Sequence, residues 1–530
     1  MAKTSSTRFY PFFGKKGLAG GLNVSDDPLI VGPEEMVNAK NVLVGQTLSR
    51  KKRPGLESYH TSTYATTASW PVASNPIRGI IQYWRYASAT GEVQEDIFLH
   101  SQDKVWSIDN RTSPATNRTG SLTLSSTAVP SYQVFEGILY FTSTNTADGY
   151  NKWNGLDSVP GNASAATPPP DGVGKYLGVY RGRMLMAGNP DFPFRLYISK
   201  PFDADDWTDA TATSLDLSYD GDPDGITAIF PELEGRVFVA TRRSIYEVTG
   251  TTVNDLVVSR VTRGIGCVGQ GTVVATPNDI LFSSDRGVHS LKKVIVSDQS
   301  EITFLSRDVQ RIWTELLNNQ KFDQAQAAWD EINNLYVISL VSSGSNTNDT
   351  VLAYNLTYGY WMKWDDIEAR SLGNVLISKK GYIICGKEDG GIQFLNPEQS
   401  TDDGDGYSFQ MKSGKFFPDG DMSKEYRFVS VTLLCSTDNP SSISVGWSID
   451  APDLTKTGSR SFNLGTESAL LGSTFILGAS QLGLGRFTPK RISIEETGYN
   501  LQLEITCAGS SNVNFHGWIL EVEDANPVYT

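Results

Sequence analysis

The segment SIYEVTG, Ser244–Gly250, decides how this chain is read. It has the features of a short strand: apolar residues, an aromatic between them, and a polar turn at the end. Four counterparts occur elsewhere: VWSIDN from Val105, YNKWNG from Tyr150, RLYISKP from Arg195 and GVHSLKK from Gly287. In chain order the five starts are 45, 45, 49 and 43 residues apart. YWMKWDD from Tyr360 and GIQFLNP from Gly391 continue the series after a wider gap. Several of these endings follow the same order of apolar strand, turn and second strand. A four-stranded β unit recurring at this spacing is the pattern of a propeller blade. One such sheet cannot bury both faces alone. Packing blades around an axis buries them, and closing the ring hides the ends. Seven units fit between about Gly79 and Pro397, so a propeller of six to eight blades is expected. A series of unrelated β-meanders is the competing reading.

Outward from the repeats, the chain stays β in character. Its 49 Gly and 24 Pro, with many Ser, Thr and Asn, punctuate short apolar runs. One stretch differs. In SRDVQRIWTELLNN the residues Val309, Ile312, Trp313, Leu316 and Leu317 fall at the spacing of one helix face, with Ser306 as N-cap. A second short helix is expected from Pro33 to Ala39, with Glu34 and Glu35 in its first turn. The polar stretch PEQSTDDGDGYS, Pro397–Ser408, reads as a linker. Alternating segments beyond it, such as YRFVSVTLLC and NLQLEITC, predict an antiparallel sandwich. The expected organisation is all-β: an N-terminal docking arm over 1–74, a β-propeller over 75–400 and a C-terminal β-sandwich over 401–530.

Composition narrows the function classes. With 39% hydrophobic residues the 530-residue chain can build real cores, and its length favours more than one domain. No run is long and apolar enough for a membrane helix, and the start lacks a secretory core, so synthesis in a cytosol is expected. Cys267, Cys385, Cys435 and Cys507 are dispersed, which predicts buried thiols in strands and no disulfide framework or zinc site. The formal charge is −14, unevenly spread. Residues 1–55 hold nine Lys/Arg against four Asp/Glu, and everything after them is acidic. Such a body is a poor wrapper of nucleic acid, because phosphate contacts need clustered cations. It does not prevent DNA from sliding past.

Motifs for chemistry are sparse. His60, His100, His289 and His516 have no His or Cys at ligand spacing, and no nucleophile elbow, P-loop or HExxH occurs. No catalytic residue, metal or cofactor is therefore assigned. SSDRGVHS, Ser283–Ser290, partly matches a sialidase Asp-box, but Ser290 stands where the aromatic belongs, and such a box is a blade turn in any case. The Asp/Gly-rich loops from Tyr219, Thr401 and Pro418 have oxygens suited to calcium, yet Asp and Gly are also the favoured turn residues, and the turn reading is taken.

The basic excess culminates in AKNVLVGQTLSRKKRPG, Ala39–Gly55. Two short strands, Asn41–Val44 and Thr47–Ser49, are expected around a Gly45-Gln46 turn, with the cations following on the second and Pro54-Gly55 stopping it. Either the cations guard an exposed edge, or they dock an acidic neighbour, or they grip a phosphate backbone. Docking is the reading taken, with Arg50, Lys51, Lys52 and Arg53, and Lys15 and Lys16 nearby, as assembly residues.

The longer stretch GGLNVSDDPLIVGPEEMVNAKNVLVGQTLSRKKRPG resembles the N-terminal signature of short-tailed phage tail nozzles. This family includes the tail tubular protein B and packaged-DNA stabilisation groups. The similar elements are Gly20-Gly21-Leu22-Asn23, the Pro33–Ala39 segment, Asn41-Val42 and the basic run ending Arg53-Pro54-Gly55. YNLTYGYWMKW and NFHGWILEVE are similar to later β segments of that family. The resemblance implies a non-enzymatic virion protein of the tail, made in the host cytoplasm. It implies a homohexamer beneath the portal and head-to-tail adaptor, touching tail fibres or spikes, with viral double-stranded DNA retained and then conducted through its lumen. An acidic lumen would suit that role, since it repels phosphate. Two rivals stay open: a carbohydrate-active or carbohydrate-binding propeller, and another tail component such as a hub or fibre-attachment protein.

Overall fold

The computed structural model describes residues 7–14, 20–45, 48–60, 75–87, 92–109, 111–155, 162–217, 225–277, 279–294, 299–437, 441–452, 454–464, 468–469, 481–482, 488–509 and 512–525. Seven four-stranded antiparallel sheets follow one another from Ile77 to Asn396. Their first strands are Ile77–Ala87, Pro130–Phe135, Tyr176–Tyr180, Ile226–Ile229, Val274–Thr276, Gln326–Asp330 and Ser371–Ile377. Each first strand packs against the next blade's first strand or the short turn leading into it, and Ser371–Ile377 returns to Ile77–Ala87. The ring is closed, and it is a seven-bladed propeller.

The fourth strand of blade seven does not come from the repeat region. It is Gly55–Ser58, paired with Ile392–Asn396 in the register Leu56↔Leu395. Pro54-Gly55 therefore starts a strand in the propeller instead of ending the basic one. The aromatic endings are third strands in blades one to five and seven. In blade six the third strand is Asn348–Asn355, and Tyr360–Trp364 is the fourth. The wide gap in the series combines that one-strand offset with the helical segment inserted between blades five and six.

That segment is helical as expected but uneven: a 3-10 turn at Arg307–Val309 runs into a π-helical turn at Ile312–Leu316. A wider turn shifts the inward face by one residue. Leu316 is 55% exposed and Leu317 is 6% exposed, whereas an α-helix would bury both. Ser306 stands at the N-cap position as expected, but its side chain makes no capping hydrogen bond. Its hydroxyl accepts the Val288 N–H of blade five at 2.9 Å.

Side-chain brackets stitch the blades. The Gln82 carboxamide, in blade one, accepts the Leu376 N–H at 2.7 Å and donates to the Leu376 carbonyl, closing blade seven onto blade one. Gln270 does the same to the N–H and carbonyl of Ile229, at 2.7 and 2.8 Å, between blades five and four. Tyr83, Tyr180 and Tyr336 reach across neighbouring blades to the carbonyls of Gly137, Gly235 and Thr272. Each bracket satisfies polar groups that interblade packing would otherwise strand.

The sandwich is not made from 401–530 alone. One sheet is ordered Met36–Lys40, Phe409–Ser413, Gln502–Cys507, Ser441–Asp450, Thr455–Leu464. The other runs Val42–Val44, Arg50–Lys52, Asn514–Asp524, Tyr426–Ser436, Thr488–Gly498, with Arg8–Phe13 also on Asn514–Asp524. The inward residues alternate as a half-buried antiparallel sheet requires; Phe12 stacks on Trp518 at 3.9 Å between ring centroids. The N-terminal region is thus no separate arm among its described residues. It supplies four strands to the sandwich and one to the propeller. Pro33–Ala39 is not a helix either: turns over 33–35 lead into the strand Met36–Lys40. Pairing with Phe409–Ser413 takes up its backbone, and long-range pairing overrides a weak local helix signal.

Candidate functional site

The basic run lies where the two domains meet. Asn41 turns the corner there. It sits between Met36–Lys40 in one sandwich sheet and Val42–Val44 in the other, with φ 56°, a left-handed conformation that Asn tolerates better than most residues. Its side chain is fully engaged. Nδ2 donates to the Ser408 carbonyl at 3.0 Å, and Oδ1 accepts from Arg53 Nε at 3.0 Å and the Asp365 N–H at 2.8 Å. Val42–Val44 then lies against blade six. Trp364 Nε1 donates to the Val42 carbonyl and the Tyr360 hydroxyl to that of Val44. Two of the three aromatic residues of YWMKW, Tyr360 and Trp364, are therefore clasps for the N-terminal strand, while the Trp361 indole donates to the Leu305 carbonyl at 2.8 Å. Gly21, at φ 88°, approaches the same strand so closely that a Cβ would come within 2.5 Å of Tyr360 Cβ.

Arg50, Lys51 and Lys52 form a strand between Val42–Val44 and Asn514–Asp524, and Arg53 follows it. Three of the four are buried: Arg50 is 0% exposed, Lys52 4% and Arg53 1%. Lys51, at the alternate position, is half-buried. Arg50 donates to the carbonyls of His516 at 3.1 Å and Gly14 at 2.9 Å, with its guanidinium near the Phe515 ring. Burial lowers its pKa to about 10, which leaves it protonated at neutral pH. Lys52 donates to the Gly509 carbonyl over the Tyr407 ring, and burial lowers its pKa. Arg53 forms a two-pronged pair with Asp402, Nη1 to Oδ1 at 2.9 Å and Nη2 to Oδ2 at 2.7 Å. It also donates to the carbonyls of Pro54 and Asp365 and stacks at 4.0 Å on Tyr407, whose hydroxyl donates back to the Arg53 carbonyl at 2.6 Å.

This corrects the sequence expectation. Arg50, Lys52 and Arg53 are buried and donate to groups of the same chain, so they are joints of the subunit and not an assembly surface. The edge-guard alternative fails for the same reason, because the strand is paired on both sides. Lys15 and Lys16 lie outside the described residues, as do Gln46 and Thr47 of the expected turn.

Other sequence candidates resolve as structure. Asp402 serves Arg53, and Asp403 accepts from the Ser58 N–H and hydroxyl. Asp419 takes Arg8 and Tyr10, and Asp421 takes Ser423. The loop from Tyr219 lies outside the described residues up to Gly225. Among the described residues, no three His, Cys, Asp or Glu side chains form a metal-binding group. SSDRGVHS is the turn between the second and third strands of blade five, where the Ser284 hydroxyl meets His289 Nε2 at 2.8 Å. All four cysteines are buried; three lie in strands, and Cys267 lies between blades four and five. No described helix is long and apolar enough to cross a membrane. The first strands of the seven blades contain Arg78, Arg85 and Asp330 as their charged residues.

No protein-family model matches the chain, and no curated protein does. Among solved structures the chain is similar to a streptogramin B lyase, at 12% identity over 65% of this chain and 98% of that one, with TM-score 0.39. It is also similar to virginiamycin B lyase from Staphylococcus aureus, at 10% identity over 64% and 98%, with TM-score 0.40. The WD40 β-propeller domain of Doa1 matches at 12% identity over 62% and 96%, with TM-score 0.37. At these values none bears on activity; the propeller assignment stands on the chain's own sheet order and ring closure.

Proposed function

We propose that this chain is a structural virion protein, the tail nozzle of a short-tailed phage, which retains packaged DNA and then forms the channel for its ejection. The observation that carries the reading is the part played by the segment resembling the nozzle signature. Its matched residues do specific work: Gly21 against Tyr360, Asn41 at the sheet corner, Arg53 in the Asp402 clamp, Gly55 at the start of the ring-closing strand. Asn41 and Arg53 join the sandwich to the propeller and Gly55 begins the strand that closes the ring, so their match supports common architecture.

In this reading several copies, six by the resemblance, surround a lumen, and DNA passes between copies instead of along a propeller axis. Net charge of −14 per copy favours sliding over adhesion. The partners are further copies of the chain, a head-to-tail adaptor and tail fibres or spikes, and the chain itself performs no catalysis. Particles produced without the protein test this. They should fill with DNA and then lose it, leaving the genome open to nuclease. Particles that keep a protected genome and infect normally would refute the role.

A further inference from the structure

The first two strands of blade one are long. Ile77–Ala87 and Glu92–Ser101 pair over ten residues, while the other blades' first strands have three to seven. Ile80, Gln82 and Trp84 share one face of the first strand, turned to blade seven, as the packing of Ile80 against Val375 and the Gln82–Leu376 bracket require. Trp84 lies beyond that bracket, where the ring no longer covers it, and is 39% exposed. It lines a cleft of about 350 Å³. Gln82 and Leu376 of the bracket line it, with Ile80 and Val375 as apolar neighbours. Glu331 enters from the turn of blade six and Asn374 from the first strand of blade seven, both exposed. Asn374 uses Nδ2 on the Trp329 carbonyl at 2.6 Å. Two glycines shape the site. A Cβ on Gly373 would come within 3.0 Å of the Ile80 carbonyl oxygen, and one on Gly381 within 2.8 Å of Glu331 Oε2.

We infer that this cleft between blades one and seven binds an uncharged pyranose, such as the end or a branch of a surface glycan. A volume of this size sits near the lower end of small-ligand sites, roughly 300–1,000 Å³. An indole beside a few polar groups suits a ring with one aliphatic face and a rim of hydroxyls. The Glu331 carboxylate accepts from hydroxyls, and the Asn374 side chain adds an amide oxygen. Glu331 is the one charged side chain among the described lining residues, so an acidic sugar or phosphate would meet only repulsion. A quaternary ammonium is the competing ligand, since it too favours Trp and a carboxylate, but such sites enclose the cation with several aromatics and this one has one. The inference does not depend on the nozzle reading.

The test is saturation-transfer NMR on the full chain, with methyl glycosides of glucose, galactose, mannose and N-acetylglucosamine, and with tetramethylammonium. At least one glycoside should bind saturably, with Kd of order 1 mM, typical of a small ligand with few contacts. Trp84→Ala should abolish binding and Glu331→Gln should weaken it about tenfold, as the loss of a charge-assisted hydrogen bond does. Should Trp84→Ala fail to fold, Trp84→Phe must retain weakened binding and Glu331→Gln carries the test. The inference is overturned if no glycoside binds, if binding survives both substitutions unchanged, or if tetramethylammonium binds there and the sugars do not.

Discussion

Replacing Arg53 with Ala should destabilise the isolated subunit. The side chain is fully buried and its five donor bonds go to Asn41, Pro54, Asp365 and both oxygens of Asp402. Removing one partner of a buried ion pair costs about 3–5 kcal/mol, because the other charge is left behind. Asp402 is 17% exposed and still accepts the Leu56 N–H, so water and that bond recover part of the loss. The expected cost is therefore near the low end, about 3 kcal/mol. It should also change how the chain unfolds. Arg53 ties the sandwich strands to the last two blades, so the variant should show two separated thermal transitions, one per domain. Differential scanning calorimetry on the purified chain reads both effects. Lys51→Ala is the control, with a change within about 0.5 kcal/mol expected for a half-buried position that has no hydrogen-bond or ion-pair partner among the described residues. A surface-docking residue would behave in the opposite way, leaving the subunit's stability intact and harming only assembly. An Arg53→Ala subunit that melts like the unaltered chain would refute the clamp.

Further outcomes follow from the same geometry. Gln270→Ala should cost about 1–3 kcal/mol in thermal unfolding, since the N–H and carbonyl of Ile229 lose their partner together. A chain lacking residues 1–58 should be aggregated or rapidly proteolysed, because blade seven loses its fourth strand and the sandwich four strands. Acid should weaken the fold well above the carboxylate range. Burial lowers the pKa of His60 and His289 to about 4 and of His100 to about 3, from 6.5, so between pH 6.5 and about 4 the unfolded chain binds more protons and stability drops as the pH is lowered. For His289, a shift of about 2.5 pKa units corresponds to about 3 kcal/mol over that window, and His289→Gln should flatten the slope of denaturant midpoint against pH.

The blades were legible because their physics is local and repeated. Third strands such as Ser244–Thr249 must place an aromatic and β-branched residues on a buried pleat and then turn, and that pattern recurs in the sequence. The closing strand was not legible. Gly55–Ser58 pairs with Ile392–Asn396 more than 330 residues away, and GLES carries no pattern that separates it from a loop. The basic run misled for a physical reason. A charge run is ordinarily solvated, and only the three-dimensional placement of carbonyls from Gly14, Gly509 and His516, and of Asp402, can make such a run buriable. The π turn likewise moved Leu317 inward where 3.6-residue spacing gave both leucines to the core. In the cleft, Trp84 stood in the sequence as one more aromatic of a strand. The strand overhang that exposes it depends on where blade seven ends.

Electron microscopy of the native assembly tests the nozzle reading most directly. A closed ring of six copies around a lumen wide enough for duplex DNA, with the propellers' own axes off the central path, is the expected image. A monomer, a trimer without a lumen, or a ring whose centre is a propeller axis would contradict it.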